Sequence, residues 1–177
     1  MAVEKWEIDT VHSGVGFTVR HMVIAKVHGQ FTKWSGTLEF DPKDLAASKV
    51  EVKIEASSID TRDPQRDGHL RSADFLDVEK HPYLEFRSTR VEEAGANKYK
   101  VRGDLTIRGV KREVVLDTVF GGQGKDPWGA QRVGFEATTK IERKDFGLQW
   151  NTALEAGGFL VGDAVDVHLE VEAKKVG

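Results

Sequence analysis

The chain has 177 residues, of which 39% are hydrophobic, and a formal net charge of −3 from 26 Lys and Arg against 29 Asp and Glu. This composition fits one globular domain over residues 1–177 and excludes disordered, collagen-like and coiled-coil proteins. It shows neither the basic excess of a nucleic-acid-binding protein nor the basic amphipathic helix of many proteins that bind anionic membranes, and the absence of cysteine excludes disulfides, thiolate metal sites and a cysteine nucleophile.

The first residues, MAVEKWEID, contain no apolar segment behind a basic start, and the chain has no run of about 18 apolar residues that could cross a membrane as a helix. We therefore expect a protein that does not span a membrane. As given, the sequence predicts a cytoplasmic location; if a signal peptide has been removed, a periplasmic or secreted location is expected instead.

Alternating apolar and polar residues predict β-strands along most of the chain. The clearest pattern is near the C-terminus, where Val165, Val167 and Leu169 alternate with Asp166 and His168. One apolar face on nearly every strand indicates an antiparallel sheet. In chain order the predicted strands cover residues 15–19, 38–40, 50–56, 84–86, 99–107, 114–120, 133–141 and 165–173, with a ninth candidate at 6–9.

Two Asp-Pro motifs each predict a short helix, because each combines an aspartate N-cap with a proline at the first helical position. They are Asp41-Pro42 and Asp63-Pro64, and the second leads into the charged segment RDGHLRSADF. Gly109, in contrast, follows a predicted strand and indicates a tight hairpin turn.

Eight or nine such strands either close into a barrel or stack as a sandwich, since both bury the same alternating positions. The distinction matters for function, because an eight-stranded barrel can hold one small ligand whereas a sandwich interior is filled. Aromatic residues in the loops KVHGQFTKWSG and RKDFGLQWNTALEAGGFLVG either close the core or line the mouth of an apolar pocket. Periodicity leaves both alternatives open.

Histidine and aspartate side chains raise an enzymatic alternative. Asp9, His12 and Ser13 are the residue types of a hydrolytic triad, although their closeness in sequence does not establish that geometry. Six histidines are present, but none pair at the spacing of a local metal site. The alternative is a hydrolase or metal-dependent enzyme built from Asp9, His12, Asp67 and His69. The opposing interpretation is that these residues cap turns and form salt bridges.

Five ordered segments carry a resemblance that runs from one end of the chain to the other. The segments are WEIDTVHSGVGFTVRH at 6–21, VHGQFTKWSGTLEFDP at 27–42, SSIDTRDPQRDGHLRSADFLDVEKHPYLEF at 57–86, GDLTIRGVKREV at 103–114 and RKDFGLQW at 143–150. On these segments the chain resembles the YceI-like family of bacterial lipid-binding proteins, also called polyisoprenoid-binding proteins. Two positions depart from the family pattern: Leu76 stands where a second phenylalanine is frequent, and Lys111 where a threonine is usual, which bears on ligand preference.

The resemblance implies an all-β fold, an extended antiparallel eight-stranded lipocalin-like β-barrel with one or two short helical segments. It also implies a non-enzymatic protein without cofactor, whose central channel takes a long-chain isoprenoid or similar amphiphilic lipid for transport or sequestration, and which often forms a homodimer. No nucleic-acid partner is expected. A third possibility is a barrel with a filled interior that acts only as a binding platform.

The family resemblance brings no set of site residues with it, so the residues of the channel are predicted from alternation and position. The candidates for the apolar wall are Phe17, Val19, Phe31, Trp34, Leu38, Phe86, Leu105, Ile107, Phe135 and Phe159. The candidates for a polar end of the channel are His21, Arg66, His69 and Arg71.

Overall fold

A computed structural model describes residues 4–22, 24–41, 43–151 and 160–176, and most of these residues lie in β-strands. The strands are β1 (Glu4–Ile8), β2 (Gly14–His21), β3 (Ala25–Phe31), β4 (Trp34–Asp41), β5 (Asp44–Glu55), β6 (Ile59–Asp60), β7 (Tyr83–Gly95), β8 (Lys98–Ile107), β9 (Val110–Lys125), β10 (Gln131–Glu142) and β11 (Val161–Lys175). One α-helix, α1 (Pro64–Arg71), and two 3-10 turns, Ala56–Ser58 and Arg143–Phe146, complete the described elements.

The strands form a closed antiparallel barrel. A ring runs β1-β4-β5-β7-β8-β9-β10-β11 and closes where β11 pairs with β1. Strand β11 is long enough to pair with β1 near its end and with β2 along its first part. Strands β2 and β3 therefore continue the barrel positions of β1 and β4, and β6 continues that of β5. Eleven strands thus fill eight positions, which confirms the predicted eight-stranded barrel and excludes the sandwich.

The three broken strands are interrupted next to one another. The break between β1 and β2 precedes Gly14, and Val15 pairs with Phe31, the last residue of β3. Phe31 pairs in turn with Ile59, directly after the 3-10 turn that separates β5 from β6. The amide of Thr32 donates a hydrogen bond to the carbonyl of Ser58 across this level. The interruptions therefore form one line across three neighbouring positions of the wall.

The helix predicted after Asp63 is present. The Asp63 carboxylate accepts hydrogen bonds from the amides of Gln65 and Arg66, and Pro64 occupies the first turn, as an N-cap followed by proline requires. The helix is short, and none of the described helices is long and apolar enough to cross a membrane.

The prediction of a helix after Asp41 is wrong, because residues 44–55 form strand β5. Asp41 instead stabilises a tight turn: its carboxylate accepts the amide of Lys43, and Asp41 pairs with Asp44 across the β4–β5 hairpin. An aspartate that bonds a nearby amide begins a turn as readily as a helix. The strand β3 was also not predicted, since Ala25 and Gly29 weaken its apolar pattern.

A tightly packed aromatic cluster lies at the end of the barrel where β1 begins and β11 ends. The side chains of Trp6 and Phe40 are each 1% exposed, and their rings stack with centroids 5.0 Å apart. Phe40 meets Phe135 edge-on, and Val133 and Ala173 fill the remaining space. This cluster closes that end of the interior. Helix α1 lies at the opposite end, beside β6.

A glycine in β8 allows a close approach between strands. A Cβ atom at Gly103 would lie 2.5 Å from Cζ of Phe86 and 2.6 Å from the carbonyl oxygen of Arg87. We expect Gly103→Ala to lower the free energy of unfolding by about 1–3 kcal/mol, as overpacking does in other cores. Urea denaturation measures this loss. The matched control is Gly14→Ala, where the added Cβ meets no atom within 4 Å. Equal midpoints for the two variants would contradict the prediction.

Candidate functional site

The barrel encloses a cavity of about 730 Å³. Because side chains alternate along a strand, each long strand contributes one face to the cavity and one to the outside. On β11 the cavity is lined by Val165, Val167 and Leu169, whereas Asp166 and Glu170 do not line it. A volume of this size lies within the range of about 300–1,000 Å³ found for small-molecule sites. The interior of the barrel is therefore not filled by its own side chains.

Nine of the ten predicted wall residues line this cavity; the tenth, Phe159, lies outside the described residues. The nine are Phe17, Val19, Phe31, Trp34, Leu38, Phe86, Leu105, Ile107 and Phe135. The same alternation also pointed to wall residues that were not singled out, among them Val101, Val114, Leu116, Val165, Val167 and Leu169. The structure brings these side chains together, and their contact with a ligand stays a prediction.

The polar side chains predicted for one end divide between two locations. His21, Arg66 and His69 line the cavity at the end where α1 lies. Arg71 does not line it: its guanidinium donates from Nε to the carbonyl of Ser57 at 2.8 Å and from Nη2 to that of Ile59 at 3.2 Å. Arg71 therefore anchors α1 to the wall from outside the cavity.

Arg66 and His69 are held by neighbouring groups. The guanidinium of Arg66 donates to the hydroxyl and the carbonyl of Thr61, at 2.8 and 2.7 Å. His69 Nε2 lies 2.8 Å from a carboxylate oxygen of Asp74. Both side chains are thus positioned at the cavity by contacts within the α1 region, so that a ligand does not have to order them.

Three rings meet at the same end of the cavity. The centroid of the His69 ring lies 4.6 Å from that of Trp150 and 5.1 Å from that of Phe75, both nearly perpendicular. All three rings line the cavity, as does Leu148. Phe146, from the same sequence segment, is only 2% exposed and belongs to the core. The aromatic segment therefore contributes to the core through Phe146 and lines the cavity through Leu148 and Trp150.

Arg143 holds the backbone around this end and was not predicted. The side chain is 3% exposed, and its guanidinium donates to the carbonyls of Leu148, Trp150, Val161 and Gly162. Burial lowers the pKa of Arg143 below its usual value. These bonds fasten the residues around Trp150 to the start of β11. Among the described residues, the hydrogen bonds of this buried arginine go to carbonyl oxygens, and its Nη2 lies 3.6 Å from Oδ1 of Asp163. No sequence motif predicts such an arginine.

Asp9 and His12, the first half of the enzymatic alternative, lie in the turn between β1 and β2. His12 Nδ1 is 2.7 Å from Asp9 Oδ2 and 3.4 Å from Glu172 Oε2, and these three side chains have the donor atoms of a metal site. The guanidinium of Arg132 lies 2.6 Å from Asp9 and 3.3 Å from Glu172. The hydroxyl of Ser13 exchanges hydrogen bonds with the backbone of Glu172. Arg132 therefore places a positive charge between the carboxylates of Asp9 and Glu172.

The charges in this turn favour an ion-pair network over metal binding. The hydrogen bond from His12, together with that from Arg132, lowers the pKa of Asp9. The Asp9 carboxylate in turn raises the pKa of His12, which favours the protonated imidazole that cannot ligate a metal. We interpret Asp9, His12, Arg132 and Glu172 as a salt-bridge cluster on the outside of the barrel.

Asp67 and His69, the second half of the alternative, belong to α1. The Asp67 carboxylate is buried and accepts hydrogen bonds from the amide and the hydroxyl of Thr61. The turn with Asp9 instead adjoins Glu172, near the end of β11. In the described part of the chain, the two pairs of side chains do not form a common site.

The comparison with known families agrees with the barrel and its cavity. The model of the YceI-like domain matches residues 6–173. The chain belongs to the YceI-like family. Its relatives include a UPF0312 protein of Vibrio cholerae, 40% identical over 167 residues, or 93% of this chain and 84% of the relative. A UPF0312 protein of Azotobacter vinelandii is 43% identical over 138 residues, or 78% of this chain and 72% of the relative.

Several solved structures share the fold. Burkholderia cenocepacia BcnA superposes with a TM-score of 0.82 at 25% identity, covering 93% of this chain and 98% of BcnA. The Campylobacter jejuni YCEI protein gives 0.77 at 32% identity, covering 89% and 90%. A polyisoprenoid binding domain from Saccharophagus degradans gives 0.72 at 12% identity, covering 97% and 98%, and this likeness concerns the fold alone.

Proposed function

We propose that this protein binds a long-chain isoprenoid or a similar amphiphilic lipid in the barrel cavity, and transports or sequesters it without changing it chemically. The observation that carries the proposal is the cavity of about 730 Å³, with apolar side chains from both sides of the barrel along its length and charged side chains at one end. Pockets that orient amphiphiles combine these two features.

The position of the polar side chains supports one orientation of the lipid in the cavity. Its polar head lies near His21, Arg66 and His69, and its chain extends toward the aromatic cluster of Trp6 and Phe40. An apolar chain that buries about 500 Å² would gain on the order of 12 kcal/mol before the costs of immobilisation and desolvation are subtracted. A net affinity that is micromolar or tighter, about −8 kcal/mol, is within reach of that gain.

Native mass spectrometry of the purified protein, followed by lipid extraction, tests the proposal. We expect a reproducible adduct of several hundred daltons that is recovered as an apolar lipid in the extract. A stoichiometric metal with no lipid, together with no binding of an added fluorescent isoprenoid, would contradict the carrier and favour the enzymatic alternative. The same spectra report the mass of the assembly and test the homodimer, which we also propose.

A further inference from the structure

Two neighbouring strands of the wall lose their pairing beside the aromatic cluster. Strands β5 and β7 pair only as far as Glu51 and Arg87, although both strands continue past these residues. Past this level the described residues form no backbone pair between the two strands. The amide of Val50 donates instead to the hydroxyl of Ser88, at 2.9 Å. The paired part of the wall therefore ends before either strand does.

Both strands also leave their regular path at this level. On β7, Thr89 is an extra residue in the pairing with β8, which makes a bulge. On β5, the segment Leu45–Ser48 is left out of the pairing with β4, and the Ser48 hydroxyl donates to the carbonyl of Leu45. Bulges bend a strand and are frequent next to functional sites. The two departures lie on neighbouring strands and leave the wall without backbone pairing between them.

The cavity reaches this unpaired part of the wall. Leu45 and Ser48 of β5, Val91 of β7 and Tyr99 of β8 all line the cavity, and none of these side chains is fully buried. Leu45 also packs against the aromatic cluster, which places this part of the wall at the closed end of the interior. Because most of these side chains are apolar, a hydrocarbon chain can lie among them without desolvating a charge.

A second unpaired part of the wall differs in being filled by a core side chain. Pairing between β9 and β10 ends at Asp117 and Thr138, short of the first residues of β9 and the last residues of β10. There Phe146, 2% exposed, belongs to the same buried cluster as Ile141. Between β5 and β7, in contrast, the side chains that line the cavity are only partly buried.

The volume of the cavity limits how much of a lipid chain it holds. Taking a chain carbon as about the size of a water molecule, roughly 30 Å³, the cavity of about 730 Å³ has room for on the order of 25 carbons, or five isoprene units. With its head at the α1 end, a longer isoprenoid has to leave the barrel at another place.

We propose that the unpaired wall between Leu45–Ser48 of β5 and Val91 of β7 is a lateral opening, through which the distal end of a long isoprenoid chain leaves the barrel. This inference rests on the proposed function. The units nearest the head fill the cavity, and the units beyond about the fifth lie between Leu45, Val91 and Tyr99. The opening lets the cavity accept chains that are longer than the cavity itself.

Protection of an introduced cysteine tests the opening, because the chain has no cysteine of its own. Ser48→Cys places a thiol at the opening. Ser35→Cys is the matched control, since Ser35 is exposed on β4 and does not line the cavity. Each variant is incubated with farnesol, which has three isoprene units, or with solanesol, which has nine, and is then alkylated with iodoacetamide. Displacement of a fluorescent farnesyl probe measures the binding of both isoprenols.

We expect solanesol to slow the alkylation of Ser48→Cys at least roughly fivefold, because a bound chain covers the thiol. Farnesol should leave this rate unchanged, and neither isoprenol should affect Ser35→Cys. Val91→Trp gives a second readout: it should weaken solanesol binding roughly tenfold and leave farnesol binding unchanged. Arg90→Trp, at the neighbouring exposed position, should bind both isoprenols as the unmodified protein does.

Four results would overturn the opening. They are a thiol in Ser48→Cys that does not react without ligand, solanesol binding that leaves this thiol unprotected, equal protection by farnesol, and binding of farnesol without binding of solanesol. The last result would show that the cavity limits chain length, and the carrier function would stand. If neither the probe nor either isoprenol binds, the carrier function fails, and the opening fails with it.

Discussion

Val167→Trp is expected to abolish lipid binding while leaving the barrel folded. Val167 lines the cavity from β11, between Phe17 of β2 and Thr139 of β10. An indole ring at this position occupies space that the lipid chain would need. Native mass spectrometry should show no adduct, and the affinity for a fluorescent isoprenoid should fall at least tenfold, which corresponds to about 1.4 kcal/mol.

The matched control for this variant is Asp166→Trp on the same strand. The Asp166 side chain is 60% exposed and, one residue along the strand, points to the other face. Its replacement should leave the adduct unchanged. If Val167→Trp keeps its full lipid content while its circular dichroism spectrum is normal, the lipid binds outside the barrel and the proposed orientation is wrong.

Arg143→Met is expected to lower the free energy of unfolding by about 3 kcal/mol or more, because four backbone carbonyls lose their donor in a buried place. Methionine has a similar length and cannot donate hydrogen bonds. The loss should appear as a lower urea midpoint. We also expect weaker lipid binding, since the residues around Trp150 lose their attachment to the start of β11.

Arg112→Met is the corresponding control for the loss of an arginine. Arg112 is exposed and its Nε donates to the carbonyl of Asp145 at 3.2 Å, so its replacement should change stability by no more than about 0.5 kcal/mol. If Arg143→Met unfolds at the same urea concentration as this control, the carbonyl groups find other donors and Arg143 is dispensable.

The alternation of apolar and polar residues predicts the strands, because a barrel wall has one face toward solvent and one toward the interior. The alternation of Val165 to Val171 appears unchanged in β11, where the odd-numbered residues from Val165 to Val171 line the cavity. Closure was not predictable in this way, because pairing between β1 and β11 joins the two ends of the chain. Closure of the barrel was predicted only from the family resemblance. The prediction of a helix at the β4–β5 turn is wrong because the Asp41 carboxylate accepts the same short-range hydrogen bond in a turn as in a helix.

The apolar part of the candidate site was predictable for the same reason as the strands. Its charged part was less so: Arg66 and Arg71 lie in one short helix, and the helical turn directs Arg66 to the cavity and Arg71 to the carbonyls of Ser57 and Ile59.

The line of strand breaks between β1 and β2, β3 and β4, and β5 and β6 divides one side of the barrel wall into two levels. Strands β7 to β11 cross this level as single elements. On the α1 side of the line, β2 pairs with β11, β3 pairs with β2, and β6 pairs with β3. The β6 edge of this group is joined to α1 by the hydrogen bonds from Arg71 to the carbonyls of Ser57 and Ile59. That side of the cavity therefore depends on side-chain bonds where strands β7 to β11 depend on pairing with one another.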